Sequence, residues 1–228
     1  MRVRRTFAFV DLSGFTALTE TEGDERAVSV LSVFRSTLRV ICSRRAVRIA
    51  KWLGDGAMLV SVESKPLVAA ALELKFRADS VPDPVAVKCG ITIGHVILLE
   101  GDDYIGHAVN VASRLCDLAE GHEVLALPEV VPELPAWGTA ESTEKVSVRG
   151  LEQPLRVVRL GLQKAPQGAI ADPICQIPLT EETAFERRRD VNGATVLFCS
   201  DSCLETWVER PVTFVREEPG SVRELWMR

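Results

Sequence analysis

The sequence lacks an excess of basic residues and a long apolar run near its start. Lys and Arg total 27 against 32 Asp and Glu, which gives a net charge of -5. That sign disfavours binding to the phosphate backbone of nucleic acids. The stretch from Met1 to Arg5 is basic, and the apolar residues after it end at Asp11, too soon for a signal peptide or a spanning helix. We therefore expect a cytoplasmic protein without a nucleic-acid or membrane partner.

Histidine is also scarce, with three residues at His95, His107 and His122. His107 is interpreted as a surface residue, and the sequence offers no obvious side-chain general base. Six cysteines are present. In a reducing compartment they are expected to be buried thiols, metal ligands or redox groups rather than structural disulfides.

The cysteines are distributed unevenly, which suggests two modules in a chain of 228 residues. Cys42, Cys89 and Cys116 are isolated and are predicted to be core thiols, whereas three others crowd the last quarter. The segment G-L-Q-K-A-P-Q-G (161–168) is typical of a linker. The predicted divisions are a first module at 1–162, a linker at 163–170, a cysteine module at 171–216 and a tail at 217–228.

Hydrophobic periodicity in the first module alternates between strand and helix patterns. Since the alternation is not a strict βαβ repeat, it favours an α+β sandwich with a mixed or antiparallel sheet. The predicted elements are a strand at 6–10, a helix at 26–41, a hairpin of 46–50 and 57–62 around G-D-G, a helix at 67–76, a strand at 85–99, a helix at 108–119, and strands at 146–148 and 155–160.

Two aspartates stand at predicted strand ends. Asp11 ends the first strand, and Asp55 lies between two glycines at the hairpin tip. Neighbouring carboxylates can share divalent cations on a phosphate substrate, and the backbone amides of 12–15 can hold a phosphate at a helix N-terminus. For either residue alone, the simpler interpretation is a helix cap for Asp11 and a turn residue for Asp55.

Three segments taken together favour the cation site over the simpler interpretation. F-V-D-L-S-G-F-T (9–16), K-W-L-G-D-G (51–56) and D-Y-I-G-H-A-V-N-V-A-S-R-L (103–115) resemble, in order and spacing, the signature segments of class III adenylate and guanylate cyclases. V-R-G-L-E-Q-P-L-R-V (148–157) resembles the family's closing hairpin, so the likeness covers about 4–161. It implies a ferredoxin-like cyclase sandwich and, as activity, conversion of ATP to 3′,5′-cyclic AMP and pyrophosphate.

The resemblance also implies a role for each matching residue. Asp11, Asp55 and the carbonyl of Leu12 would bind two Mg²⁺ or Mn²⁺ ions, and Asn110 and Arg114 would act on the transition state. Lys51 and Asp103 would recognise the purine base of the substrate. Residues matching the substrate-binding segment are Ser13, Gly14, Phe15 and Thr16. Adenine offers an acceptor and a donor that complement Lys51 and Asp103, whereas guanine reverses both, so ATP is the expected substrate.

In that family the two halves of a site come from different subunits, so a head-to-tail homodimer with shared active sites is expected. Two departures are a short segment at 98–102, which bears on the dimer contact, and His95, which stands where an acidic residue is common. The alternatives are a non-catalytic nucleotide-binding or dimerisation protein, and a metal-binding protein in which the cysteine module is the main function.

The C-terminal part resembles the YHS (TRASH-like) cysteine modules through D-P-I-C (172–175), N-G-A-T-V-L-F-C-S-D-S-C (192–203) and W-V-E-R-P-V-T-F (207–214). Cys199 and Cys203 are four residues apart and can converge with Cys175 on Zn²⁺, Cu⁺ or another soft metal. The fourth ligand is open between Asp172, water, a partner chain and a substrate. The alternative is a metal-free fold with reduced cysteines. A further hypothesis is that this module regulates the first one in response to metal or redox state.

Overall fold

The computed structural model describes residues 1–81, 85–99, 103–148 and 153–209. Its main sheet has the order β2-β3-β1-β4-β6-β8-β7, with β5 paired to β4. Among the described strands, β4 and β6 run parallel and the other neighbours are antiparallel, which confirms the predicted mixed sheet. The strands are β1 (Arg2–Ser13), β2 (Arg48–Leu53), β3 (Gly56–Ser61), β4 (Ala86–Leu98), β5 (Tyr104–Ile105), β6 (Val124–Ala126), β7 (Gly138–Val146) and β8 (Leu155–Leu162).

Helices cover both faces of this sheet. They are α1 (Phe15–Arg44), α2 (Ser64–Asp79), α3 (His107–Leu118) and a short 3-10 helix (Pro128–Glu133). Successive side chains of a strand point to opposite faces. Accordingly, Ala8 and Val10 of β1 pack in the cluster that contains Leu38 of α1, whereas Phe7 packs in the cluster that contains Ala108 of α3. This alternation builds the α+β sandwich expected from the sequence.

The first helix is longer than predicted. We expected a helix start at 13–16, then a polar stretch and a helix over 26–41. In the structure α1 begins at Phe15, as expected, but continues through the polar stretch to Arg44, with an interruption at Gly23, where φ is 82° and ψ is 171°. The hydroxyls of Thr19 and Thr21 donate to the carbonyls of Phe15 and Ala17, so these polar residues are satisfied within the helix. Glycine adopts the positive φ of the interruption at little steric cost.

The isolated cysteines are core residues, as predicted. Cys42, Cys89 and Cys116 are buried free thiols. Burial raises the pKa of Cys42 to about 12, with a further contribution from the charge of Glu73. These thiols therefore stay protonated at neutral pH.

The C-terminal part consists of short elements packed against the first module. They are β9 (Ile170–Ala171), β10 (Pro178–Leu179), β11 (Glu186–Arg189), β12 (Thr195–Phe198) and α4 (Asp201–Glu209). Cys175 and Phe198 share one hydrophobic cluster with Leu38 and Leu72 of α1 and α2. The predicted tail, the end of the cysteine module after 209 and part of the closing hairpin, 149–152, lie outside the described residues. In the described part of the chain, no helix is long and apolar enough to span a membrane.

Candidate functional site

The two aspartates of interest lie side by side where β1 passes the tip of the β2–β3 hairpin. Val10 pairs with Ala57, which places Asp11 beside Gly56. A Cβ at Gly56 would lie 2.8 Å from Asp11 Oδ1 and 2.6 Å from the carbonyl oxygen of Val10. Only glycine fits this close approach, and Asp55 immediately precedes it. The glycine therefore lets the hairpin tip reach the carboxylate of Asp11.

Their electrostatics fit a cation site. Partial burial raises the pKa of Asp55, and the negative charge of Asp11 raises it further. The ammonium group of Lys88 opposes this shift, with Nζ 3.2 Å from Asp11 Oδ2. Two carboxylates that repel each other and already attract one cation form a donor set suited to Mg²⁺ or Mn²⁺. Sequence reasoning missed Lys88, although it lies opposite Asp11 in the β1–β4 register.

The predicted phosphate-binding residues surround the start of α1. Ser13 ends β1, and Gly14 occupies the N-cap position with φ of 87°. The N–H of Leu18 donates to the carbonyl of Gly14 at 2.9 Å, so the amides before it stand at the open N-terminus of the helix. Phe15 and Thr16 are the first helical residues. The structure thus rejects the alternative role of Asp11 as helix cap, whereas Asp55 does lie in the predicted turn.

The hairpin tip is supported by α1 through residues that the sequence did not single out. Arg35 Nη2 donates to the carbonyl of Gly54 at 2.8 Å. The guanidinium carbons of Arg35 and Arg39 each lie 5.1 Å from the ring centre of Trp52. Such cation–π contacts are worth about 0.5–1 kcal/mol at exposed sites. Because Gly54 directly precedes Asp55, these contacts help to fix the position of its carboxylate.

Lys51 and Asp103, 52 positions apart in the sequence, are joined in the structure. Lys51 Nζ lies 2.7 Å from Asp103 Oδ1, and both side chains are partly exposed. The hydrogen bond from Lys51, followed by the one from the backbone N–H of Tyr104, holds the pKa of Asp103 below its usual value. A hydrogen-bond donor and an acceptor thus lie together at the surface, in direct contact with one another.

Asn110 and Arg114 lie on α3 with exposed side chains. The buried residues of that helix include Ala108, Val111 and Leu115, so its polar face points away from the core. Arg114 Nη1 lies 3.1 Å from Asp117 Oδ2. Asn110 and Arg114 are four positions apart on the helix, so they share one face, as predicted. This geometry allows both side chains to contact one bound molecule.

The second cluster joins three thiols and one carboxylate. The sulfur of Cys199 lies 3.4 Å from that of Cys175 and 3.6 Å from that of Cys203. One ligand atom from each of these cysteines and from Asp172 lies within 4.8 Å of all the others, and all four residues are buried. Asp172, one of the alternatives for the fourth ligand, is therefore correctly placed for that role.

Asp172 also organises the loops that carry the thiols. Its Oδ1 accepts hydrogen bonds from the backbone N–H groups of Ile174 and Cys175 at 2.8 and 3.1 Å. Its Oδ2 accepts one from the N–H of Cys199 at 2.7 Å. Hydrogen bonds from the thiols of Cys175 and Cys203 hold the pKa of Cys199 well below its usual value, and Arg45 adds to the effect. One thiolate is thus already favoured in this cluster.

Comparisons with known proteins identify relatives that match about two thirds to three quarters of the chain. No family model matches the chain. An uncharacterised protein of Mycobacterium tuberculosis is 31% identical over 164 residues, covering 72% of this chain and 42% of the relative. An adenylate cyclase of Streptomyces griseus is 29% identical over 152 residues, covering 67% of this chain and 38% of that enzyme. The chain thus spans less than half the length of these curated relatives.

Solved structures show the same fold. The adenylyl cyclase CyaB of P. aeruginosa superposes with a TM-score of 0.60 at 24% identity, covering 72% of this chain and 96% of CyaB. The guanylyl cyclase Cya2 gives a TM-score of 0.63 at 19% identity, covering 74% and 96%. The chain therefore has the mixed α+β fold of class III cyclase domains, with a cysteine cluster near its C-terminus. Because both kinds of cyclase share it, the fold alone does not distinguish ATP from GTP.

Proposed function

We propose that the protein is an adenylate cyclase that converts ATP to 3′,5′-cyclic AMP and pyrophosphate. The observation that carries this proposal is the placement of Asp11 beside the hairpin tip of Asp55 in a fold shared with solved nucleotide cyclases. In the reaction, the ribose 3′-hydroxyl attacks the α-phosphorus, its proton passes to solvent, and pyrophosphate leaves.

Divalent cations complete this site. The carboxylates of Asp11 and Asp55, with the carbonyl of Leu12, would hold two Mg²⁺ or Mn²⁺ ions. When bound, such ions lower the pKa of the attacking hydroxyl and neutralise the leaving phosphates. Lys88 keeps the two carboxylates compatible with one another in the absence of that charge. The acidic pair thereby enables an acidic protein to bind a triphosphate.

The remaining residues orient the substrate. The open amides at the start of α1, between Ser13 and Thr16, suit phosphate oxygens. Arg114 is proposed to contact the α-phosphate, where negative charge accumulates, and Asn110 to hold the ribose so that its 3′-oxygen lies in line. Lys51 would donate to N1 of adenine while Asp103 accepts from the N6 amino group.

The proposed assembly is a head-to-tail homodimer in which each site combines residues from two copies. The side chains of Ile97, Leu99 and Ile105 are about half exposed. Ile97 pairs with Ile105, and the N–H of Leu99 donates to the carbonyl of Asp103, so these apolar residues flank the proposed purine-reading carboxylate. Burying them against a second copy would complete both the apolar surface and the site.

Product analysis tests the activity. The full chain, reduced and supplied with ATP and Mn²⁺, is expected to form cyclic AMP and pyrophosphate in equal amounts, and Asp55→Asn is expected to abolish both products. Absence of cyclic nucleotide from the wild type, or unchanged turnover in Asp55→Asn, would overturn the proposal. Tight ATP binding without turnover, unaffected by Asp55→Asn, would instead support the non-catalytic alternative.

Mixing two inactive variants tests the shared site. A dimer of one Asp55→Asn chain and one Arg114→Ala chain would contain one intact site and one doubly defective site. Activity should therefore return on mixing and be absent from either variant alone. If mixing restores no activity although the two chains are shown to associate, the sites are not shared between copies.

A second candidate function is metal binding by the cysteine cluster. The observation that favours it is the convergence of three buried thiols and a buried carboxylate. Zn²⁺ or another soft metal suits this donor set. Full-length protein loaded with zinc under reducing conditions should retain one ion after dialysis, and Cys199→Ser should not. The proposed regulation of cyclic AMP formation by the cysteine module is tested separately. The kinetics of the metal-loaded and the metal-free full chain are compared, and identical kinetics would refute regulation.

A further inference from the structure

Three alternate residues of β4 face the helix α3. They are Gly90, Thr92 and Gly94, which share one face of the strand because every second residue points the same way. A Cβ at Gly90 would lie 2.3 Å from the carbonyl oxygen of Ala112, and one at Gly94 would lie 2.7 Å from the Cβ of Ala108. The helix therefore lies directly on the backbone of the strand at both glycines, and Thr92 supplies the side chain between them.

The hydroxyl of Thr92 bonds to the first turn of α3. Thr92 is 1% exposed, and its Oγ1 donates to the carbonyl oxygen of Ala108 at 2.7 Å. A buried hydroxyl is costly unless it is hydrogen-bonded, so this bond favours a fixed distance between strand and helix. The N-cap residue of α3 is Gly106, which has no side chain that could cap the helix. Thr92 thus attaches the start of α3 to the sheet.

The carbonyl that accepts this bond is close to the proposed reacting groups. Asn110 follows Ala108 by two residues, and Arg114 lies about one helical turn further along α3. Because a helix of this length moves as a unit, the position of Ala108 determines where both side chains lie. Asp103, in contrast, is held from β2 by the ammonium group of Lys51. Displacing α3 should therefore disturb the reacting groups more than the proposed purine contacts.

We propose that Thr92 is a positioning residue that holds α3 at the depth at which Asn110 and Arg114 act on the substrate. This inference rests on the proposed cyclase function and adds a buried residue that touches no substrate. A hydroxyl donor permits the oxygen–oxygen distance of 2.7 Å. A methyl group in its place needs about 3.4 Å from that oxygen, so it would push the first turn outward by about 0.7 Å.

The test compares Thr92→Val with Thr92→Ser, because valine keeps the shape without the hydroxyl and serine keeps the hydroxyl. With ATP as substrate, kcat of Thr92→Val should fall by about tenfold or more. Its KM should stay within about threefold of the wild-type value, since the interactions lost are those of the transition state. Thr92→Ser should recover most of kcat. Circular dichroism verifies folding, and Thr92→Ala replaces the valine variant if that does not fold.

Thr6→Val is the matched control for a lost buried hydroxyl. Thr6 is completely buried, and its Oγ1 lies 2.6 Å from Ser64 Oγ at the start of α2. The helix α2 carries none of the proposed site residues, and the hydroxyl of Ser64 can rotate away from the new methyl group. Thr6→Val should therefore lose stability while keeping kcat near the wild-type value.

A second measurement contains no nucleotide. Hydrogen exchange of the α3 amides, followed by mass spectrometry of peptides covering 107–118, should be about tenfold faster in Thr92→Val than in the wild type. Thr92→Ser and Thr6→Val should both exchange at the wild-type rate in this segment. Exchange thus reports directly on how firmly the helix is attached to the sheet.

The outcomes separate this inference from the proposed function. A wild-type kcat in Thr92→Val, a kcat in Thr92→Ser as low as in Thr92→Val, or an equal loss in Thr6→Val overturns the positioning role. Unchanged exchange of α3 in Thr92→Val overturns the attachment itself. A wild type that forms no cyclic nucleotide refutes the cyclase proposal and with it the catalytic purpose of Thr92, whereas the exchange rates still decide whether Thr92 holds α3.

Discussion

Replacing Gly90 by alanine should displace α3 and lower kcat far more than it lowers the stability of the fold. A Cβ at Gly90 would lie 2.3 Å from both the carbonyl oxygen of Ala112 and the amide nitrogen of Cys116, and 2.7 Å from the Cβ of Leu115. Two of these atoms belong to the helix backbone and cannot rotate away. An ordinary contact begins near 3.4 Å, so α3 would have to move by about 1 Å.

That movement has two consequences of different size. Overpacking of this kind typically costs about 1–3 kcal/mol in unfolding free energy. In a chain of this length the melting temperature should fall by roughly 2–12 °C. A displacement of about 1 Å can reduce catalysis by about 100-fold, and α3 carries Asn110 and Arg114. We therefore expect kcat to fall by about two orders of magnitude at a temperature where the variant remains folded.

Leu74→Ala provides the matched control. Leu74 is completely buried on α2, in the cluster on the opposite face of the sheet from α3. Its truncation should cost about 2–5 kcal/mol while leaving the position of α3 unchanged. The assay compares kcat and melting temperature for both variants. If Gly90→Ala keeps the wild-type kcat, or if Leu74→Ala loses as much, the reasoning that α3 positions the reacting groups is wrong.

Two further predictions concern the polar contacts. Lys51→Gln removes the main cause of the lowered pKa of Asp103, so this carboxyl should protonate at a higher pH as the solution is acidified; NMR titration that finds no change would contradict the hydrogen bond. Arg35→Ala removes the bond to Gly54 and should raise the Mn²⁺ concentration needed for half-maximal activity, with a loss of about 1 kcal/mol in stability. Arg39→Ala is the control, because Arg39 contacts the same Trp52 ring but has no bond to Gly54 in the described contacts. Equal Mn²⁺ requirements in the two variants would refute the role of Arg35 in positioning Asp55.

The elements of the first module were largely predictable because their signals are local. The glycine-flanked turn predicted the β2–β3 hairpin, and regular apolar spacing predicted α2 and α3. A helix start near 13–16 was expected, but the continuation of α1 through the polar stretch before residue 26 was not predictable in this way. This stretch lacks an apolar stripe, and its threonine hydroxyls bond to carbonyls within the helix, which the sequence pattern does not reveal.

Long-range contacts explain what the sequence did not reveal about the sites. Lys88 contacts Asp11 only because β1 and β4 pair in a particular register. Glu73 occupies a position in the middle of an apolar helix pattern, and nothing nearby in the sequence indicates that Arg45 will contact it. The predicted linker gave no indication that buried charges connect α1 and α2 to the cysteine cluster. These long-range contacts can be identified only from the folded structure.

The measurement that tests the central claim most directly is the comparison of kcat/KM for ATP and GTP in the wild type and Lys51→Glu. If Lys51 and Asp103 read the purine, the wild type should prefer ATP by about 100-fold, because guanine presents a donor to Lys51 and an acceptor to Asp103. Lys51→Glu should lose most of that preference by reducing activity with ATP. A wild-type preference for GTP, or an ATP preference that is unchanged in Lys51→Glu, would contradict the account.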